Sequence, residues 1–337
     1  MTKVRCGIIG LGPIGRDIAR QAWLHPGFEV VAAVDVDPAL AGGDLREVLG
    51  VAGRSGVTVE SSPAAAVAGR AIDLMFHATG SRLEHVAGQF EELLRLGVNV
   101  ISTCEELVFP WQRQPAVAER LDRIARDNGV TLVASGINPG FAMDVFPLLL
   151  AGATSRITSV HIERHTDVGV RRLPLQKKLG VGLSEADFVE REHAGELGHV
   201  GLEQSLELVA DALGWEIGPV QVEIAPIVAT STPSAPHPQV PVGHVLGASH
   251  ISAGRTADGR TIGMSLQMYV GADSRDSVTI TGSPDIRVTV EGGFSGDVCT
   301  SAVILNLAPA VIAANPGLLT PADIRALRNL PSGASSR

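Results

Sequence analysis

Apolar residues follow two rhythms along this chain, and the change between them falls near residue 141. In the first part, short continuous apolar runs alternate with stretches whose apolar positions recur every three or four residues. Residues 4–9 read as a buried strand bounded by Gly10. Ile14, Ile18, Ala19, Ala22 and Trp23 then recur at helical spacing, until Pro26 and Gly27 end the helix. A second strand at 30–34 closes on Asp35. The alternation continues with a strand at 72–76, an amphipathic helix at 83–96 stopped by Gly97, a strand at 98–101, a helix at 115–127 and a strand at 130–134. Strands separated by helices of this length predict a parallel, doubly wound sheet.

Beyond residue 141 the runs lengthen and polar residues interleave with apolar ones. Strands are expected at 157–165, 220–229, 244–253, 261–270, 277–281 and 286–291, with short helices at 185–194 and 202–213. This pattern predicts an open, mostly antiparallel sheet with one covered face. The Pro- and Ser-rich stretch 230–243 reads as a loop within that sheet. An apolar helix at 298–313 is expected to pack back on the first domain, and the following NPGLLTPADI segment reads as a turn. The fold class is therefore α/β: an N-terminal doubly wound domain at 1–141, an α+β domain for substrate binding and dimerisation at 142–297, and a C-terminal helix and tail at 298–337.

The first strand-helix junction carries GLGPIG, with Gly10, Gly12 and Gly15 at the G-x-G-x-x-G spacing. Alone this spacing is weak in a chain with 38 glycines. The strand before it, the helix after it and the acid at the end of the next strand make it a Rossmann dinucleotide-binding fingerprint. Gly10 allows the tight turn, Gly12 lets the main chain approach a pyrophosphate, and Gly15 lets helix and strand pack closely. Pro13 and Ile14 open a helix whose N-terminus offers free N–H groups to phosphates. Asp35 is placed to accept from the adenosine ribose. A carboxylate there repels a 2′-phosphate, so NAD is favoured. NADP stays open, with Arg46 and Arg54 as the cations able to reach its phosphate.

Composition narrows the function classes. A formal net charge of −9 argues against a nucleic-acid partner, which would need clustered Lys and Arg. The longest apolar run of the second half, at 302–314, contains Asn306 and Pro309 and is too short for a bilayer, and no export signal is expected at the N-terminus. Three scattered cysteines, Cys6, Cys104 and Cys299, give neither a disulfide framework nor a zinc spacing. A cytoplasmic protein without a metal is expected.

Ligands of doubly wound sheets bind beyond the carboxyl ends of the strands. Three segments fall there: HATGS at 77–81, with Thr79 and Gly80; STCEELVFPW at 102–111; and SGINPGF at 135–141, with Asn138. Glu105 and Glu106 follow directly from a strand, so at least one carboxylate faces the crevice, and either is a candidate for proton transfer. His165, His199 and His244 are further candidates because histidine titrates near neutral pH. Cys104 could serve as an acyl nucleophile, against the plainer reading of an inert buried thiol. The basic, glycine-rich stretch 171–182 either holds a substrate carboxylate or forms a solvated loop.

Five segments together, STCEELVFPW, SGINPGFAMD, RRLPLQKKLGVG, GHVGLEQS and a closing APAVIAANPGLLT, resemble the 2,4-diaminopentanoate dehydrogenases and related native amine dehydrogenases, relatives of dihydrodipicolinate reductase. The match runs along nearly the whole chain. The histidine-rich catalytic segment and lysine loop of dihydrodipicolinate reductase itself are missing, so that activity is not expected. The resemblance implies oxidative deamination of an amine, or reductive amination of a ketone with ammonium, by a homodimer using NAD(P). It implies that Glu105 supports the chemistry, with Glu106 in reserve, that Asn138 with Pro139 and Gly140 turns beside the nicotinamide, and that His199, with His165, lines the substrate pocket. Two rivals remain. One is a semialdehyde or hydroxy- or amino-acid dehydrogenase on the same scaffold, against which stands the lack of a lysine near Glu105. The other is a non-catalytic NAD(H)-binding sensor.

Overall fold

The computed structural model describes residues 3–53, 55–234, 237–324 and 329–330. The chain forms two compact units. The first runs to Phe141 and resumes at Ser295, and the second is Ala142–Phe294.

The first unit alternates as its apolar pattern predicts: β1 (Val4–Ile9), α1 (Pro13–Leu24), β2 (Phe28–Val34), α2 (Leu45–Leu49), β3 (Val59–Glu60), α3 (Pro63–Val67), β4 (Leu74–His77), α4 (Leu83–Arg95), β5 (Asn99–Ser102), a single 3₁₀ turn at Glu105–Val108, α5 (Pro115–Asp127) and β6 (Thr131–Ala134). All four residues of β4 and of β6 are buried, as expected of parallel strands covered on both faces. α4 places Leu83, Val86, Ala87, Phe90, Leu93 and Leu94 on its buried side.

The second unit contains α6 (Val145–Ala151), β7 (Ser155–Asp167), α7 (Leu173–Lys178), α8 (Glu185–His193), α9 (Leu202–Ala212), β8 (Gln221–Val228), β9 (Val245–Arg255), β10 (Thr261–Tyr269), β11 (Arg275–Ser283) and β12 (Ile286–Glu291). After it the first unit is completed by α10 (Gly296–Ile312) and β13 (Gly317–Leu319).

The first sheet has the order β13-β6-β5-β4-β1-β2-β3, with every pairing parallel. The chain winds outward from β1 through β2 to β3, then restarts beside β1 at β4 and winds the other way. That reversal is the topological switch point of a Rossmann sheet, where ligands bind at the carboxyl ends. α10 packs against α1 and against β4, β5 and β6. Its Ser301 hydroxyl donates to Asp17 of α1 at 2.6 Å.

The second sheet has the order β12-β11-β7-β10-β9-β8. It is mixed: β7 and β10 run parallel while the other pairs are antiparallel. Alternation along β7 buries Val160, Ile162, Arg164 and Thr166 and leaves Ser159, His161, Glu163 and His165 on the opposite, more open face. α9 covers part of the buried face, packing on β9 and β10.

Two expectations are corrected. The NPGLLT segment is not a simple turn: residues 317–319 add β13 to the edge strand β6, and the run was too short to show a strand period. Within 171–182, residues 173–178 form a short helix with Pro174 in its first turn, where a missing N–H costs nothing.

Candidate active site

The glycine-rich junction has the sterics a dinucleotide site needs. Gly10 sits at φ +88°, and a Cβ there would lie 2.6 Å from the Ala78 carbonyl oxygen. A Cβ on Gly15 would collide with the Gly10 carbonyl oxygen, so only glycine lets α1 approach the turn. Gly12 differs: a Cβ there would meet nothing within 4 Å. It caps α1 without any side-chain hydrogen bond, and Pro13 opens the helix. The first-turn N–H groups of α1 have no partner inside the helix, and the space beside Gly12 is open, the arrangement that takes an anion. Asp35, directly after β2, accepts from Leu11 N–H at 2.6 Å through one carboxylate oxygen and from Asp37 N–H at 2.9 Å through the other. It thereby ties the end of β2 to the glycine loop. These residues fit a dinucleotide.

Arg46 lies in α2 with its guanidinium over the Trp23 ring, 5.5 Å from the centroid. Arg54, the other cation considered for a 2′-phosphate, lies outside the described residues.

The turn after β5 is anchored on several sides. Thr103 N–H donates to the His77 carbonyl at 2.9 Å, Cys104 N–H to Ser102 Oγ at 3.0 Å, and Glu106 N–H to the Ser81 carbonyl at 3.2 Å. The two glutamates separate here. The Glu106 carboxylate accepts from Leu83 N–H at 2.7 Å and from Gln114 Nε2 at 3.0 Å, with Arg82 3.5 Å away. It serves as the cap of α4. Glu105 opens the 3₁₀ turn with its side chain partly exposed.

Cys104 is fully buried and its thiol donates to the Ser81 carbonyl at 3.3 Å. Burial pushes it up to about 12, the wrong direction for a thiolate nucleophile.

Thr79 does not stand alone. Its hydroxyl donates to Gln89 Oε1 at 2.7 Å and lies 2.9 Å from His77 Nε2. Gly80 follows it, with room limited by Val86. Asn138 sits in the 135–141 loop, and its Oδ1 is enclosed without a hydrogen-bond partner. The loop is held by Ser135, whose hydroxyl donates to the Gly140 carbonyl, and by Thr300 of α10, whose Oγ1 accepts from Ile137 N–H.

In the second unit the sheet separates the two proposed pocket histidines. His165 lies on the open face of β7, with Nε2 3.3 Å from the Arg275 guanidinium. Burial and Arg275 lower its pKa. His199 lies half-buried just before α9, near the cations Lys178 and Arg164 and the His250 ring. Burial brings it down to about 3, so it is a neutral ring at working pH. Beside it stands His250, whose two ring nitrogens have no side-chain partner, and elsewhere in the same unit Gln204 Oε1 and Ser252 Oγ are enclosed without one. His244 Nδ1 is likewise unpartnered. Arg164 is paired instead, bridging Asp276 at 2.6 Å and the Phe294 carbonyl at 2.6 Å.

Residue-type reasoning overlooked His77, although HATGS was singled out. The available signal was its register: His77 ends β4 directly beside Ser102, which ends β5.

A Rossmann sheet with an open glycine junction, an acid closing β2 and a second unit built on a mixed sheet is the plan of the two-domain nicotinamide dehydrogenases. A family model described as the 2,4-diaminopentanoate dehydrogenase C-terminal domain matches residues 141–336, and the chain belongs to that family. It is 28% identical to the 2,4-diaminopentanoate dehydrogenase of Acetoanaerobium sticklandii over 331 residues, covering 96% of this chain and 94% of the relative. The fold is shared with an amine dehydrogenase structure from Mycobacterium smegmatis, at a TM-score of 0.86 and 24% identity with 98% of each chain covered. A more distant fold relative is scyllo-inositol dehydrogenase from Lactobacillus casei, solved with NAD(H) and scyllo-inositol. It aligns with a TM-score of 0.59 and 14% identity, covering 93% of this chain and 88% of that one.

Proposed function

We propose that this chain is an NAD-dependent amine dehydrogenase, interconverting a small amine with the corresponding ketone and ammonium. The observation that carries the reading is the place of Glu105, on a turn anchored by its neighbours' N–H groups at the carboxyl end of the sheet, one strand beyond the switch-point pair β1 and β4. Its neighbour Glu106 caps α4. Family membership supports the substrate class.

The nicotinamide ring, when bound, supplies the hydride acceptor. Loss of hydride from the amine carbon leaves a cationic iminium on the substrate. A fixed carboxylate stabilises that charge, takes the ammonium proton and guides the attacking water. Glu105 is assigned that role. Gly10, Gly12, Pro13, Ile14 and Gly15 hold the pyrophosphate, and Thr79, Gly80 and Asn138 border the nicotinamide side.

NAD is preferred over NADP in this reading. The acidic pair Asp35 and Asp37 stands at the end of β2, and the Arg46 guanidinium is engaged by Trp23. The fold relative solved with NAD(H) supports a nicotinamide cofactor in general. The second unit is assigned to substrate recognition and dimerisation. His199 is chosen over His165 for substrate contact because it lies beside His250, whose ring nitrogens are enclosed without a side-chain partner, whereas His165 Nε2 is engaged by Arg275. The three free thiols support a reducing, cytoplasmic setting.

The test is NADH oxidation with concentrated ammonium and a panel of small ketones including 2-amino-4-oxopentanoate, run beside Glu105→Ala. Ammonium-dependent turnover that the variant loses is expected. Turnover indifferent to ammonium would move the protein to the alcohol or semialdehyde dehydrogenases. Cofactor binding without turnover on any amine or ketone would make it a sensor.

A further inference from the structure

We propose that His77 is a positioning residue for Glu105, fixing through Ser102 the main chain of the turn that carries the carboxylate. The inference rests on the role assigned to Glu105.

His77 is fully buried at the carboxyl end of β4. Its Nε2 lies 2.8 Å from Gln89 Oε1, and its Nδ1 lies 2.9 Å from Ser102 Oγ. An amide oxygen only accepts, so the ring proton belongs on Nε2 and Nδ1 is the acceptor. The Ser102 hydroxyl then donates into Nδ1 and keeps its lone pairs for Cys104 N–H at 3.0 Å. The Thr79 hydroxyl donates to the same Gln89 oxygen. One tautomer thus satisfies the cluster from Thr79 to Cys104, linking the turn after β4 to the turn after β5.

A charged ring would reverse the Ser102 bond, because Nδ1–H would then donate to the hydroxyl oxygen and turn its hydrogen away from the ring. The neighbours facing the imidazole are uncharged: Gln89 and Phe90 from α4, Ser102 from β5, and Thr79. Burial lowers His77 to about 4, so the relay holds one state at working pH. The His77 carbonyl adds a second hold, accepting from Thr103 N–H. Glu105 therefore stands between Cys104 and Glu106, both pinned by their N–H groups. Packing against Phe90, at 4.4 Å between ring centroids, needs only an apolar ring. The bond to Ser102 needs an acceptor in one place.

Two substitutions divide the imidazole's duties. His77→Asn keeps an acceptor where Nδ1 stands and loses the Gln89 arm. His77→Gln reaches the Nε2 position and abandons Ser102. The Asn variant is expected to stay within about threefold of the parent kcat. The Gln variant is expected to lose on the order of 10²-fold in kcat, the scale of a misplacement of about 1 Å, with KM for NADH little changed. The kcat–pH profile of the Gln variant should shift from the parent's while that of the Asn variant does not. Equal losses in both variants, or none in either, would overturn the proposal.

A readout free of turnover accompanies these. Imidazole ¹⁵N spectra of the protein with and without NADH should show His77 as the neutral Nε2–H tautomer at neutral pH, altered by Ser102→Ala. A Nδ1–H tautomer would sink the inference whatever the kinetics. A Glu105→Ala variant that keeps full turnover would defeat the proposed function while leaving the spectra intact. An inactive Glu105→Ala beside a fully active His77→Gln would defeat only the positioning role.

Discussion

Two polar regions, one in each unit, follow opposite rules. At the carboxyl ends of β4 and β5, the polar atoms of buried His77 and Ser102, half-buried Gln89 and exposed Thr79 meet one another or the main chain. Beside α9, Gln204, His250 and Ser252 are buried, yet Gln204 Oε1 and Ser252 Oγ have no partner and the His250 ring meets no side-chain partner. A closed network spends its hydrogen bonds on holding backbone in place. An open one keeps them for something that arrives later, a substrate or ordered water, since buried polar atoms are rarely left unmet. The first region suits placing a catalytic carboxylate, and the second suits recognition.

The largest effect that would break this contrast is kinetic. Glu105→Ala is expected to lower ammonium-dependent kcat by roughly 10²–10⁴-fold, the usual worth of a positioned acid-base group, while NADH still binds by fluorescence titration. A variant that keeps its rate would remove the reason for the closed network.

Next comes the one tightly paired charge in the comparison. Arg164 and Asp276 are 4% and 2% exposed, and Asp276→Ala strands the arginine in the interior. A loss of about 3–5 kcal/mol is expected in urea unfolding. A loss below about 1 kcal/mol would show that solvent reaches the pair.

Two serines sharpen the contrast further, because both are 0% exposed. Ser102→Ala cuts a bond to His77 and one to Cys104 and should cost about 1–3 kcal/mol. Ser252→Ala removes a hydroxyl with no partner and should be neutral, or stabilising by up to about 1 kcal/mol. A clear loss at Ser252 would reveal a tightly held water in its place.

The smallest effect is a slope. His77 falls to about 4 and His199 to about 3, from an ordinary value of 6.5, both mainly through burial. Across that window the unfolded chain binds protons that the folded chain refuses. Their contribution to stability is fully present above about 6.5 and is lost as pH falls toward 4 and 3. Urea midpoints measured across this range should decline with falling pH, and less steeply in His199→Leu than in the parent. An unchanged slope would mean that His199 titrates normally.

The first unit was largely legible in the sequence because its signals are local. The strand before Gly10, the helix after Gly15 and Asp35 lie within one short βαβ unit, and the collision waiting for a Cβ at Gly15 explains why glycine marks it. The two glutamates could not be ranked, since the ligands of Glu106, at Leu83 and Gln114, belong to other elements. The pairing of Arg164 with Asp276 joins residues 112 apart in sequence and becomes visible only when β7 meets β11 in register. β13 escaped because three residues cannot display a period. The helix at 173–178 was obscured by its basic, polar composition. The His77 cluster was hidden by the same distance problem: its histidine, glutamine and serine come from three elements, and no spacing along the chain marks them.

β13 has a consequence for how the protein is made. The first unit's sheet ends at β6 until residues 317–319 pair with it, and those residues follow the entire second unit in the chain. During synthesis the growing polypeptide therefore carries an unpaired parallel edge at β6 while residues 142–294 emerge as one continuous stretch. Parallel pairing between distant segments is slow and leaves exposed edges prone to association. Ribosome-bound chains ending before α10 should thus be trapped by chaperones far more readily than chains extended past Leu319.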